Sequence, residues 1–188
     1  MNRTRTIPEL SGLAAPLVTF GAILLATLIS PRFSWTLDAL SDLGAAGEST
    51  AWLFNGGLIV GAILALPFVW GLWMRRENRF DAVGTVVLLV SFVGMGFVGV
   101  FPEGTNLHFP MAITFYAGLT YALFFLGSGR IVADERTLGL GSVWLAVSHI
   151  TSWILWAVGI RLGSGLAIPE TVGALILIVW MVATVRRF

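Results

Sequence analysis

Residues 51–74 read AWLFNGGLIVGAILALPFVWGLWM, a run with no charged side chain that ends against Arg75 and Arg76. A helix needs about 20 mostly apolar residues to cross the hydrocarbon core of a bilayer. This run has that length, and the arginines that follow it suit the headgroup layer. Five further stretches repeat the pattern. Six spans are expected, at about 10–30, 51–74, 82–101, 109–129, 138–160 and 169–185. In lipid every backbone polar group must be satisfied internally, which continuous apolar runs achieve as helices. The expected fold is all-α: a polytopic transmembrane bundle of six helices. The spans use most of the length, so residues 1–188 read as a single six-helix transmembrane domain.

Composition agrees. The chain is 57% hydrophobic and 11% charged, against about 25% charged for a soluble domain. With no cysteine, disulfides, thiolate chemistry, iron–sulfur clusters and cysteine-based zinc sites are excluded. A net charge of +1 gives no reason to expect nucleic acid. No phosphate loop, H-E-x-x-H or G-x-S-x-G pattern appears. The first apolar run, Leu10 to Ser30, exceeds the 7–15 residues of a signal-peptide core and no A-x-A-like site follows it. It reads as a retained first span.

The arginines orient the bundle. With the N-terminus inside, Arg3, Arg5, Arg75, Arg76, Arg79, Arg130, Arg136, Arg186 and Arg187 are cytoplasmic and only Arg32 and Arg161 lie outside. The positive-inside rule favours that arrangement. The expectation is a multi-pass protein of the cell membrane with both termini cytoplasmic. Trp35, Trp52, Trp70, Trp73 and Trp180 fall near span ends, where indoles suit the headgroup layer.

Inside the spans, Pro16 and Pro67 interrupt helical hydrogen bonding. Gly57 and Gly61 form a G-x-x-x-G pair that lets another backbone approach, and Gly94, Gly96 and Gly99 thin the third span. Asn55 lies one turn into the second span and needs a partner, as interhelical glue or as site lining. His149 falls near mid-depth of the fifth span, with Ser142 and Ser152 on its helical face. An ionisable group at that depth is a candidate functional residue; the alternative is a neutral imidazole bonded to nearby hydroxyls.

The outer face gathers the remaining acidic groups. Segment 33–44 reads FSWTLDALSDLG and is spaced as a short amphipathic helix. Trp35, Leu37, Leu40 and Leu43 take one side, and Asp38 and Asp42 share the other. Arg32, Arg161, a metal ion or a protonated His108 would relieve the repulsion between the two aspartates. Segment 100–108, VFPEGTNLH, holds Glu103 and His108 in a tight loop. Glu103 follows the C-terminus of a span, the unfavourable end for a carboxylate, which points to pairing or function. Segment 167–173, AIPETVG, opens the last span with Pro169 and Glu170, a good helix start.

These elements carry a resemblance. SWTLDALSDLG after the first span, FNGG in the second, GVFPEG…H between the third and fourth, and AIPE–x–x–GA at the sixth resemble domain-of-unknown-function family 998 of prokaryotic membrane proteins. The likeness covers nearly the whole chain. It implies a six-span bundle and supplies no activity. A more distant similarity is to the seven-span intramembrane hydrolases that include alkaline ceramidases, which also combine Ser, Asp and His near one membrane face. Their three-histidine zinc site has no counterpart, because this chain has only His108 and His149. A zinc site would have to use His108 with carboxylates, and no metal-ligand set is assigned.

The leading expectation is a small-ligand or lipid-binding site at the extracytoplasmic face, with hydrolysis as an option. Its candidate residues are Asp38, Asp42, Asn55, Glu103, His108, His149 and Glu170. The bilayer is the expected surrounding, and an oligomer or complex partner stays open. The alternatives are a non-catalytic membrane scaffold or complex subunit, a proton-coupled transporter resting on His149, and a haem-binding electron carrier. The cofactor is left undetermined.

Overall fold

The computed structural model describes residues 6–186. Arg3, Arg5 and Arg187, used above for orientation, lie outside the described residues. Six α-helices run in chain order: α1 Ile7–Ile29, α2 Ala51–Met74, α3 Arg79–Val100, α4 His108–Val132, α5 Arg136–Ala157 and α6 Ala167–Val185. A short 3-10 turn, Leu40–Gly44, interrupts the first long loop. All six helices are long and apolar enough to cross a membrane. The protein is an integral membrane protein and its helices lie in a lipid environment.

The helix ends fall where local capping places them. Asn78 accepts the backbone N–H of Asp81 at 3.1 Å, which starts α3 at Arg79, three residues before the expected 82. Asn78 Nδ2 also donates to the carbonyl of Gly129 on α4, at 3.0 Å. α5 stops at Ala157 rather than 160, because Gly159 turns the chain at φ 86°.

Consecutive helices pack antiparallel, and α6 returns to touch both α1 and α5, so the six close into a ring. Small residues bring the backbones together. Gly57 and Gly61 of α2 face Ala22 and Thr19 of α1, as the G-x-x-x-G pair implied. α4 and α5 meet through Gly127 and Gly139, where a methyl on either would lie 2.8 or 2.7 Å from the other's carbonyl oxygen. That contact sits near the end of the bundle carrying Arg75, Arg76, Arg130 and Arg136. The opposite end carries the long loops and is called the loop end.

Pro67 supplies no N–H and so disturbs α2. Ser11 of α1 repairs the next step. Its hydroxyl donates to the carbonyl of Leu64 and accepts the N–H of Phe68 at 3.0 Å. The serine thus engages the α2 backbone on both sides of the proline.

Two expectations need correction. Segment 33–44 is not one amphipathic helix: only 40–44 is helical, as a 3-10 turn. Asp38 accepts the N–H of Ser34 and Asp42 that of Ala39, both at 2.7 Å, and such local side-chain bonds compete with helix. Leu40 and Leu43 are buried while Leu37 is exposed. Trp180, expected in the headgroup layer, is buried. Its indole N–H donates to Ser142 of α5 at 3.0 Å, and its ring meets Phe68 edge-on at 5.9 Å.

Replacing Ser11 with Ala is expected to lower unfolding stability in detergent by about 1 kcal/mol. Replacing Pro67 with Ala in the same chain should return part of that loss, since Ala restores to α2 the N–H that proline lacks. Strictly additive melting shifts for the two substitutions would contradict the bridge.

Candidate ligand site at the loop end

Three segments converge at the loop end: the 3-10 turn, the α3–α4 loop and the first turn of α6. The loop before the turn is fixed first by backbone. Gly165 and Ala167 donate to the carbonyls of Thr36 and Asp38 at 2.9 and 3.0 Å. Trp156 of α5 donates its indole N–H to the Gly165 carbonyl at 2.8 Å. These bonds lay the loop across the mouth of the bundle and deliver Leu40 and Ser41 inward.

Leu40 N–H then donates to Glu170 Oε2 at 2.6 Å. Ser41 donates its hydroxyl to Glu103 Oε2 at 2.9 Å. His108 Nε2 lies 2.8 Å from the same Glu103 oxygen. His108 Nδ1 lies 2.8 Å from the Phe101 carbonyl. A carbonyl only accepts, so Nδ1 carries hydrogen. The proton between Nε2 and Glu103 makes the pair imidazolium–carboxylate or imidazole–carboxylic acid.

The order of these bonds bears on chemistry. In a serine–histidine–acid relay the imidazole takes the serine proton. Here Ser41 and His108 both engage Glu103, and the imidazole is not the partner of the hydroxyl. The set fixes the α3–α4 loop and the 3-10 turn to each other.

Behind it, α4 and α5 part around a cavity of about 560 Å³. Its polar end is formed by Ser41, Glu103, His108 and Glu170. Its apolar length includes Ala112, Ala117, Tyr116, Trp153 and Trp156. Phe109, Ile113, Ile150 and Ala157 also line it and are exposed on the outside of the bundle. The cavity therefore opens sideways, toward the lipid-facing surface. A smaller cavity of about 50 Å³ in the ring's centre shares Ser41, His108, Tyr116 and Glu170.

The sequence candidates divide. Glu103, His108 and Glu170 come together at the polar end. Asp38, Asp42 and Asn55 line neither cavity and serve the loop: Asn55 Nδ2 donates to the Gly44 carbonyl at 2.9 Å. Of the proposed cations, Arg32 lies 3.7 Å from Glu48 and Arg161 stands over the Trp156 ring. Among the described residues no three His, Asp or Glu side chains gather as a metal site.

His149 is fully buried below the cavity. Trp153 Nε1 lies 3.2 Å from His149 Nε2, and Thr120 Oγ1 lies 2.8 Å from Nδ1 and 3.2 Å from the Tyr116 carbonyl. One assignment satisfies all of them. The indole donates to Nε2, Nδ1–H donates to Thr120, and the threonine hydroxyl donates to Tyr116. The imidazole is then neutral and joins α4 to α5. The expected serine partners are engaged elsewhere: Ser142 donates to the Leu138 carbonyl and Ser152 to the His149 carbonyl. Haem ligation by either histidine would first require breaking one of these bonds.

Ser41, Tyr116, Thr120, Trp153 and Trp156 were not singled out from sequence. Trp153 had a signal, standing four residues after His149 on one helix face. Ser41 lay inside the S-D-L-G motif. Nothing in the sequence paired Thr120 or Tyr116 with α5.

Residues 13–187 match the model of a family described as "Protein of unknown function (DUF998)", and the chain belongs to that family. No curated protein matches the chain, and no solved structure does.

Gly173 of α6 packs where a methyl would lie 2.7 Å from His149 Nε2 and 3.0 Å from the Tyr116 ring. Gly173→Ala is expected to destabilise the protein by about 1–3 kcal/mol through overpacking. Thermal unfolding in detergent reads this; an unchanged midpoint would show that the α4–α5–α6 junction is looser than described.

Proposed function

We propose that this DUF998 member binds a lipid-like amphiphile in the cavity between α4 and α5, with the polar end of the ligand toward the extracytoplasmic face. One observation carries the reading: the cavity is apolar along its length, polar at one end, and open to the lipid-facing surface between two helices. About 560 Å³ falls within the range of small-molecule sites, about 300–1,000 Å³. Lateral opening suits a ligand that arrives from the bilayer rather than from water. The polar end lies at the headgroup depth of such a ligand, because Glu103 and His108 flank the start of α4 and Glu170 the start of α6.

Binding is favoured over hydrolysis because Ser41 and His108 share one carboxylate oxygen and do not form a relay. A proton-coupled transporter finds less support, since both ring nitrogens of His149 are engaged, by the Trp153 indole and the Thr120 hydroxyl. Orientation rests on arginine. Among the described residues Arg75, Arg76, Arg79, Arg130, Arg136 and Arg186 stand at one end and Arg32 and Arg161 at the other.

Two measurements test this. The chain has no cysteine, so single cysteines report topology cleanly. Ser49→Cys in intact cells should react with a membrane-impermeant maleimide, and Glu77→Cys should react only after lysis. The reverse pattern would place the site on the cytoplasmic side. Native mass spectrometry of protein released gently from its own membrane should show a retained amphiphile mass. Ala117→Trp, which fills the cavity from α4, should remove that mass without lowering the melting temperature, and Ala157→Trp should act likewise from α5. A mass retained equally by wild type and both variants would overturn the cavity as its site.

A further inference from the structure

Glu170 stands out at the polar end of the cavity. Its residue surface is 6% exposed, and it borders both the lateral cavity and the central one. Its bond from a described residue is Leu40 N–H to Oε2. Oε1 receives none from the described residues. Oε1 is not sealed by protein, and a carboxylate oxygen at a cavity wall without a donor is where an added donor gains most. Glu103 does not help, because it accepts from Ser41 and Gly104 N–H and shares a proton with His108. No arginine lines the cavity. Its basic group is His108, whose two ring nitrogens are both engaged.

We infer that the ligand's head is a protonated amine, and that it donates to Glu170 Oε1 while its chain lies along α4 and α5. This rests on the cavity reading above. Three features favour an ammonium over other heads. It supplies the donor that Oε1 lacks, as a charge-assisted hydrogen bond. It brings positive charge to a pocket end that holds two glutamates and no arginine. Its first carbons would pass Tyr116, whose ring stands 5.0 Å from that of Trp153, and aromatic faces attract cations. A phosphate, sulfate or carboxylate head would instead set negative charge against both glutamates, with no arginine in the lining to balance it. A hydroxyl head would supply a donor without the charge.

The experiment uses full-length protein in phosphatidylcholine nanodiscs, with tetradecylamine, tetradecanol and tetradecyl sulfate as probes and native mass spectrometry as readout. Tetradecylamine should be retained about tenfold better than either other probe. Glu170→Gln keeps a carbonyl oxygen for Leu40 N–H and should bring the amine down to the level of the alcohol. Equal retention of the sulfate or the alcohol in wild type would overturn the amine assignment. So would an amine preference that survives Glu170→Gln. If that variant does not fold, the wild-type ranking of the three probes still decides. The cavity reading fails separately: no probe is then retained, or all are retained equally by Ala117→Trp. If the amine and the sulfate bind alike and Ala117→Trp displaces both, the cavity stands and the head assignment falls.

Discussion

Lipid offers no hydrogen bonds, so each polar group that enters this bundle must find a partner inside it. That constraint organises the interior. Pro67 removes an N–H from α2, and Ser11 of α1 bonds the α2 backbone at Leu64 and Phe68. The indole of Trp180 is buried against Phe68, and Ser142 accepts its N–H. His149 is enclosed, Trp153 and Thr120 meet its two ring nitrogens, and the Thr120 hydroxyl donates on to the Tyr116 carbonyl. Each of these ties one helix to another. Polar side chains thereby fix which helix faces which, a task that apolar packing in an apolar solvent performs weakly.

The same constraint sorts the polar groups at the loop end. Asp38, Asp42 and Asn55 spend their oxygens or amides on loop backbone. Glu103, His108 and Ser41 are joined to one another. Glu170 has an oxygen facing the cavity without a donor. Among the described residues Thr19 Oγ1, beside the central cavity, is the buried side-chain atom left without a partner.

Architecture places the cavity. α4 and α5 touch backbone to backbone at Gly127 and Gly139 and carry larger side chains, Tyr116, Trp153 and Trp156, toward the other end. Two helices held close at one end and spread by bulk at the other leave space between them. The Thr120–His149 bond spans the pair below that space. The 31–50 loop, bonded to the α5–α6 loop, covers the mouth above it. What stays open is the side facing the bilayer.

The span count and helical class follow from sequence, because hydrocarbon thickness sets helix length and tolerates few charges. Gly57 and Gly61 already announced a close helix contact. Glu103 announced a partner, by standing at the wrong end of a helix dipole. Segment 33–44 misled, since a pattern of leucines and aspartates fits a helix as well as a turn whose aspartates bond its own backbone. The sequence alone could not say that Leu40 meets Glu170 across 130 positions, that Trp180 turns inward, or that Thr120 rather than a neighbouring serine serves His149. Periodicity reports which face of a helix is apolar. In a membrane both the lipid-facing and the inward faces are apolar, so only the packing of the six helices decides which side chains meet.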